Sequence, residues 1–304
     1  MIDRLREAWP RYRRPIRDAL VIVGLLRAFV FFVVQGEHPW EFWGVDARAY
    51  WGIDLAHPYA DSAVGELSNY LYSPVFAQLL APFSALQFEV FFVLWTTVSV
   101  VLLVWLVKPW PWVVPMLLLP IVYELCVGNI HFLLAAAFVV VLRAPAVWAF
   151  PLLTKVAPGI GLLWFLFRRE WRNLSIAIVA TVAVAGLSAA LAPALWHDWW
   201  ELLRRSVMDR QVVEGAYLGI TVWLRLPFAV GIIFWGARTD RHWTVPIGVL
   251  LAMPILWINV FSLLLAVVPL RQELGLTPAR AWLLRERLLP RRARPKPATA
   301  PQAG

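Results

Sequence analysis

The residues able to do chemistry in this chain are few and unevenly placed. Asp46 sits in Gly44-Val45-Asp46-Ala47-Arg48-Ala49-Tyr50, a dozen residues beyond an apolar run that ends at Val34. A carboxylate at a membrane surface can take the proton from an acceptor hydroxyl while a lipid-linked donor stays embedded beside it. Asp46 belongs to an acidic stretch, residues 36–70, that also holds Glu37, Glu41, Asp54, Asp61 and Glu66 against one cation, Arg48. For the other acids a solvated loop is the ordinary reading. Three cations lie instead inside apolar runs, Arg27, Lys155 and Arg225, where charge is costly and usually functional. Lys155 is about ten residues short of the end of its run at Phe167, too far to reach water easily, so an anionic partner is expected. Arg225 lies nearer an end, where reaching the interface competes evenly, and Arg27 has no assignable partner. Two cations beside a cavity would suit a phosphate or pyrophosphate group. Glu124, near a turn, reads as an ion-pair partner or a cap. His131 is the one histidine within an apolar run, and a lone histidine is more often a satisfied hydrogen-bonder than a ligand. No His or carboxylate pair has convincing metal spacing, since Asp54 and His57 lack a third ligand. Walker A, Rossmann and HExxH patterns are absent. Neither a metal nor a cofactor is expected.

The elements that must position these groups follow from composition. Of 304 residues, 61% are hydrophobic and only 15% charged, with mean hydropathy +0.67. That excludes an ordinary soluble domain, a disordered chain and a fibrous repeat. A bilayer-crossing helix takes roughly 20 apolar residues, and apolar runs at about 18–34, 71–86, 89–107, 111–127, 130–143, 146–167, 173–193, 217–237, 243–256 and 258–270 predict about ten spans. The runs near 130, 243 and 258 are short for a full crossing, and Pro246, Pro254 and the Pro109/Pro111/Pro115 cluster should break or kink helices. The first run follows six arginines without a cleavage site, which reads as an uncleaved signal anchor. Alternating from a cytoplasmic N-terminus puts 19 of the 28 basic residues inside and six outside, as the positive-inside rule asks. Residues 1–17 then form a basic cytoplasmic N-terminus, 18–270 the membrane domain, and 271–304 a basic cytoplasmic tail, disordered at its end and resting on anionic headgroups rather than on nucleic acid. The aromatics of 36–70 (Trp40, Phe42, Trp43, Tyr50, Trp51, Tyr59) predict short interfacial helices. The 19 tryptophans fit interfacial belts, and the single cysteine, Cys126, allows no intrachain disulfide.

The series as a whole resembles a known family. An Asp-bearing loop is followed by Tyr70-Leu71-Tyr72-Ser73-Pro74, Leu79-Leu80-Ala81-Pro82, Gly128-Asn129 at a turn, Lys155-x-x-Pro158, Arg168-Arg169-x-Trp171-Arg172 and Met253-Pro254-Ile255-Leu256-Trp257-Ile258-Asn259. In this order they resemble family 87 of glycosyltransferases, polyprenol-phosphate-mannose-dependent mannosyltransferases of the multi-span GT-C class, over about residues 18–270. The resemblance implies an all-α polytopic cell-membrane enzyme, a GT-C-like bundle of about ten helices. A polyprenyl-phosphate sugar, mannose by the family's habit, is the implied donor, and a lipid or glycan hydroxyl the acceptor. Transfer would invert the anomeric centre on the outer side of the membrane. It maps the general base onto Asp46 and the phosphate-binding cations onto Lys155 and Arg225, with Tyr50, Tyr70, Tyr72, Asn129, His131 and Asn259 lining or supporting the cavity. The family often carries Asn or Gln where this chain has His131, and Asp, Glu or His near Trp257, where Asn259 is the nearest equivalent. Two other readings remain open from sequence alone: a lipid or solute transporter using the buried cations, and a non-catalytic envelope-assembly scaffold.

Overall fold

The computed structural model describes residues 2–36, 38–59, 69–208 and 217–272. The tail from 273 onward and the acids Glu37, Asp61 and Glu66 lie outside the described residues. The fold is helical, apart from one two-residue antiparallel pair, β1 (Tyr217–Leu218) with β2 (Leu256–Trp257). Helix α1 (Ile2–Phe29) runs on into a π-helical turn, Val30–Val34. The acidic segment holds a 3-10 turn, Pro39–Phe42, and the short α2 (Val45–Trp51). Then come α3 (Pro74–Leu80), α4 (Phe88–Val107), α5 (Val113–Met116), α6 (Leu118–Val127), α7 (His131–Val140), α8 (Ala149–Thr154), α9 (Leu163–Arg168) and α10 (Trp171–Leu191). The described chain closes with α11 (Pro193–Met208), α12 (Val222–Thr239), α13 (Thr244–Ala252), a 3-10 stretch Ile258–Ala266, and α14 (Val267–Gln272).

Among the described residues, two helices are long and apolar enough to cross a bilayer unaided, α4 and α10. Helices α6 and α7 would pass together but bend by 113° at their junction. Both single helices turn apolar side chains outward: Val93 and Val101 on α4, Val182 and Leu187 on α10. Water penalises such a surface and a bilayer does not, so the molecule is compatible with a membrane protein. Helices α1 and α12 are continuous but carry charge, and several of the other expected spans are broken into short helices; the breaks have causes. Proline removes a helical donor: Pro82 opens the 3-10 turn that follows α3, and Pro254 follows the end of α13. Within the expected span 146–167, Pro158 has no N–H to return to Thr154, and Lys155 is extended (φ −137°, ψ 133°) between α8 and the 3-10 stretch Ala157–Leu162. The amphipathic α11 falls in a stretch that hydropathy leaves mostly as an outside loop, because Asp198, Glu201, Arg204 and Arg205 interrupt its apolar residues.

Two contacts correct the expected alternation. Helix α1 runs parallel to α5 and α6: a side chain on Gly24 would collide with Met116, Ala28 clusters with Leu119 and Tyr123, and the rings of Phe31 and Tyr123 lie 5.5 Å apart. Strict alternation through 71–86 and 89–107 would make these helices antiparallel. In addition, the Trp51 indole donates to Leu86 O at 2.8 Å, so the two ends of the expected span 71–86 stay near one face. Pro74 starts α3 and Pro82 opens the turn that ends it, so neither piece alone is long enough for about 30 Å.

Candidate active site

Helix α2 is docked by backbone rather than by long side chains. Its N-cap, Gly44, has φ +69° and donates its N–H to Cys126 O at 2.7 Å, at the end of α6. Gly128, φ +71°, ends α6; a Cβ there would stand 2.7 Å from Ala47 Cβ and 2.9 Å from Phe92. Two left-handed glycines thus let α2 lie directly on the α6–α7 turn, and that contact brings Asp46 to Asn129. The Asn129 amide is oriented by its oxygen, which accepts Ile130 N–H at 2.7 Å and Lys155 Nζ at 3.4 Å, leaving Nδ2 to donate to Asp46 Oδ2 at 2.5 Å. Lys155 reaches the same place from the break after α8, where the Thr154 hydroxyl bonds back to Phe150 O at 2.8 Å. Ser73 donates to Leu153 O and so ties the Tyr72 segment to the end of α8. The Tyr72 ring lies 5.5 Å from Lys155 Nζ.

These groups face a cavity of about 310 Å³ lined by Asp46, Tyr72, Asn129, Lys155, Asn259 and apolar residues that include Phe42, Trp199 and Trp257. Asp46 lies outside the candidate spans. Burial pushes its carboxyl up to about 6, against the pull of the Asn129 hydrogen bond and the Lys155 charge, while Glu124 adds a smaller upward push. The site can therefore offer a carboxylate able to take a proton near neutral pH, beside a cation held for an anion.

Of the residues singled out from sequence, Asp46, Lys155, Tyr72, Asn129 and Asn259 converge on this cavity. Tyr50 and Tyr70 stand behind it: Tyr50 shares a 2.6 Å hydrogen bond between hydroxyls with Tyr72, and Tyr70 donates to Ser73 O at 3.2 Å. His131 is buried behind Lys155. Arg225 is elsewhere. Its three guanidinium nitrogens donate to Ile220 O, Leu251 O and Pro254 O at 2.9, 2.8 and 3.0 Å, and it is not among the cavity residues. It holds backbone carbonyls that broken helices leave unpaired, including the one at Pro254, itself a cavity residue. Arg27 is exposed on α1. Trp199 and Leu203 were not foreseen as cavity residues, and Glu124 was read only as an ion-pair partner or a cap. Trp199 and Leu203 line the cavity from α11, and their signal was the amphipathic pattern of that helix. Glu124 is fully buried on α6 and accepts from Asn259 Nδ2 at 3.1 Å and from His131; its signal was a carboxylate inside an apolar run. Among the described residues no group of His, Cys, Asp and Glu could hold a metal ion.

An acid and a cation joined through one amide, inside an otherwise apolar helical body, suit group transfer from an anionic substrate. Residues 70–284, well over half of the chain, match the family model for glycosyltransferase family 87. The chain belongs to that family and is a glycosyltransferase. The match covers Asn129, His131, Lys155 and Asn259 but begins after Asp46. No curated protein and no solved structure matches the chain.

Proposed function

We propose that the protein transfers a sugar, with mannose the first candidate, from a polyprenyl-phosphate donor to a hydroxyl of a lipid or glycan acceptor, with inversion. The observation that carries this reading is the convergence of Asp46 and Lys155 on one cavity through Asn129. The acceptor oxygen attacks the anomeric carbon and loses its proton to Asp46, while the bond from that carbon to the phosphate oxygen breaks. The electron pair leaves with the lipid phosphate, whose growing charge meets the Lys155 ammonium. The mostly apolar lining admits the lipid-linked partner, and Tyr72, Asn129 and Asn259 orient the polar groups.

The reading places the cavity on the extracytoplasmic side. The two basic turns assigned to the cytoplasm meet in one ion pair, Arg168 Nη1 to Asp240 Oδ1 at 2.8 Å, which supports their sharing a face. With 71–86 dipping rather than crossing, α4 runs inward, α5–α6 outward, and the stretch from α7 to α9 returns inward past Lys155. Then α10 and α13 run outward, α12 and the 258–272 stretch inward, and both termini stay in the cytoplasm. Lys108 thereby moves inside, which improves the positive-inside balance.

Incubation of the purified protein with radiolabelled polyprenyl-phosphate mannose and membrane lipid extract tests the reading. Labelled product is expected with wild type, and its rate should fall about 10²–10⁴-fold in Asp46→Asn, the usual size of general-base loss. Near-normal turnover in that variant would remove Asp46 from the role.

A further inference from the structure

The cation of the cavity has a support that the transfer reading leaves unused. Glu124 on α6 and His131 at the start of α7 flank the Gly128–Asn129 turn, and each is only 1% exposed. One Glu124 oxygen accepts the backbone N–H of His131 at 2.6 Å. The other accepts Asn259 Nδ2 at 3.1 Å and faces His131 Nδ1 at 2.8 Å. The second ring nitrogen, Nε2, lies 2.9 Å from Lys155 Nζ. An ammonium has only donors to offer, so Nε2 must present its lone pair and the ring proton must sit on Nδ1, pointing at the Glu124 carboxylate. Carboxylate, imidazole and ammonium form one chain that ends at the cavity wall.

We propose that Glu124 and His131 are positioning residues for Lys155. The carboxylate fixes the Nδ1–H form of the imidazole, as the partner of one ring nitrogen sets the role of the other, and the Nε2 lone pair holds one ammonium hydrogen. The remaining hydrogens point to Asn129 Oδ1 and to the cavity. Without that acceptor, the flexible lysine stem is free to swing past the Asn129 amide onto Asp46, and the cation and the base would then neutralise each other. With it, the amide stays between them and both remain available. Satisfying both ring nitrogens is what leaves this buried imidazole without an orphan polar atom. The inference rests on Lys155 being the cation that meets the donor phosphate.

The test compares full-length His131→Gln, His131→Asn and Glu124→Gln with wild type, using polyprenyl-phosphate mannose as donor and a protein-free incubation as the blank. A glutamine amide reaches the place of Nε2 and can accept from Lys155; an asparagine amide reaches only the place of Nδ1 and serves Glu124 alone. The expected order is His131→Gln within about 10-fold of wild-type kcat and His131→Asn down by about 100-fold, the range for removing a group that orients an active one. Glu124→Gln, which favours the opposite ring tautomer, should fall with His131→Asn. An Asn variant as active as the Gln variant or better would overturn the proposal, because filling the core and satisfying Glu124 would then be the whole role. Wild type that leaves the donor untouched would overturn the transfer reading itself, whereas full activity in both His131 variants overturns only the positioning. Nitrogen NMR on histidine-labelled wild type asks the same question with no donor and no variant to fold. Among the five histidines, one neutral ring protonated at Nδ1 is expected. Spectra in which no neutral ring carries its proton there would sink the chain.

Discussion

At the scale of single residues, the site turns on how much of Asp46's charge survives burial. Removing a carboxylate from water favours its neutral form, and the Asn129 hydrogen bond with the Lys155 charge restores part of the balance. With the carboxyl at about 6, a base that must be ionised gives a transfer rate that climbs as pH rises through about 6 and levels above it. Asn129→Ala deletes a bond that favours the carboxylate, so the Asp46 value rises further and the acid limb moves to higher pH. The variant should lose more rate at about pH 6.5 than at about pH 8. Initial rates across that range decide the matter; an unmoved limb, or one moved to lower pH, would show that Asn129 does not set the base. The two residues are far apart in sequence, and only the amide geometry at the turn links them. Asp46 and Lys155 were legible as candidates because charge is scarce in this chain. The different fates of Lys155 and Arg225 were not, since both are cations in apolar runs and only their neighbours distinguish an ammonium at a cavity wall from a guanidinium whose three nitrogens all donate to carbonyls.

At the scale of elements, the site exists because helices stop. Helix α6 ends at Val127, α8 at Thr154 and α13 at Ala252, and residues just beyond each end line the cavity, Asn129 and Lys155 among them. Gly128→Ala tests this logic. An alanine there meets the left-handed backbone penalty, about 1–2 kcal/mol, and also drives its Cβ into Ala47 and Phe92. Transfer should fall at least tenfold because α2 is displaced with Asp46 on it, and thermal unfolding should shift down; wild-type kinetics in this variant would mean that α2 need not lie on the turn. Arg225→Met makes the complementary prediction. Carbonyls of Ile220, Leu251 and Pro254 lose their donor, which costs about 1–3 kcal/mol for a buried polar group left unpaired. A lowered melting temperature is expected with donor KM little changed, and a large rise in KM with stability intact would return Arg225 to the substrate. Sequence pattern located nearly all of these helices, because apolar runs and prolines are local signals. It placed their ends poorly, and α11 escaped it, because an amphipathic surface helix has no hydropathy peak.

At the scale of the whole molecule, the direction of each crossing decides what can meet. Parallel packing of α1 with α5–α6 puts the Asn129 turn at the level of Asp46, where a ten-span alternation would hold them on opposite faces. Membrane-impermeant thiol labelling of intact cells checks this, in a Cys126→Ser background and with one exposed position changed at a time. Ser84→Cys should label from outside, with His57→Cys as the outward control, and Lys108→Cys should be protected, with Asp240→Cys as the inward control. The reverse pattern at Ser84 and Lys108 would reinstate 71–86 as a crossing. Composition and local pattern were enough for an apolar body compatible with a membrane, the scarcity of charge, the family and the short set of residues worth watching. The chain carries these two signals regardless of its fold. It took the folded chain to show that Asp46, Asn129 and Lys155 share one cavity, that Arg225 does not line it, and that Glu124 and His131 stand behind the lysine. Those contacts join separate elements, from Glu124 to His131 across one turn to Asp46 and Asn129, 83 residues apart; helix breaks and backbone approach at Gly44 and Gly128 make them, and no local pattern encodes them.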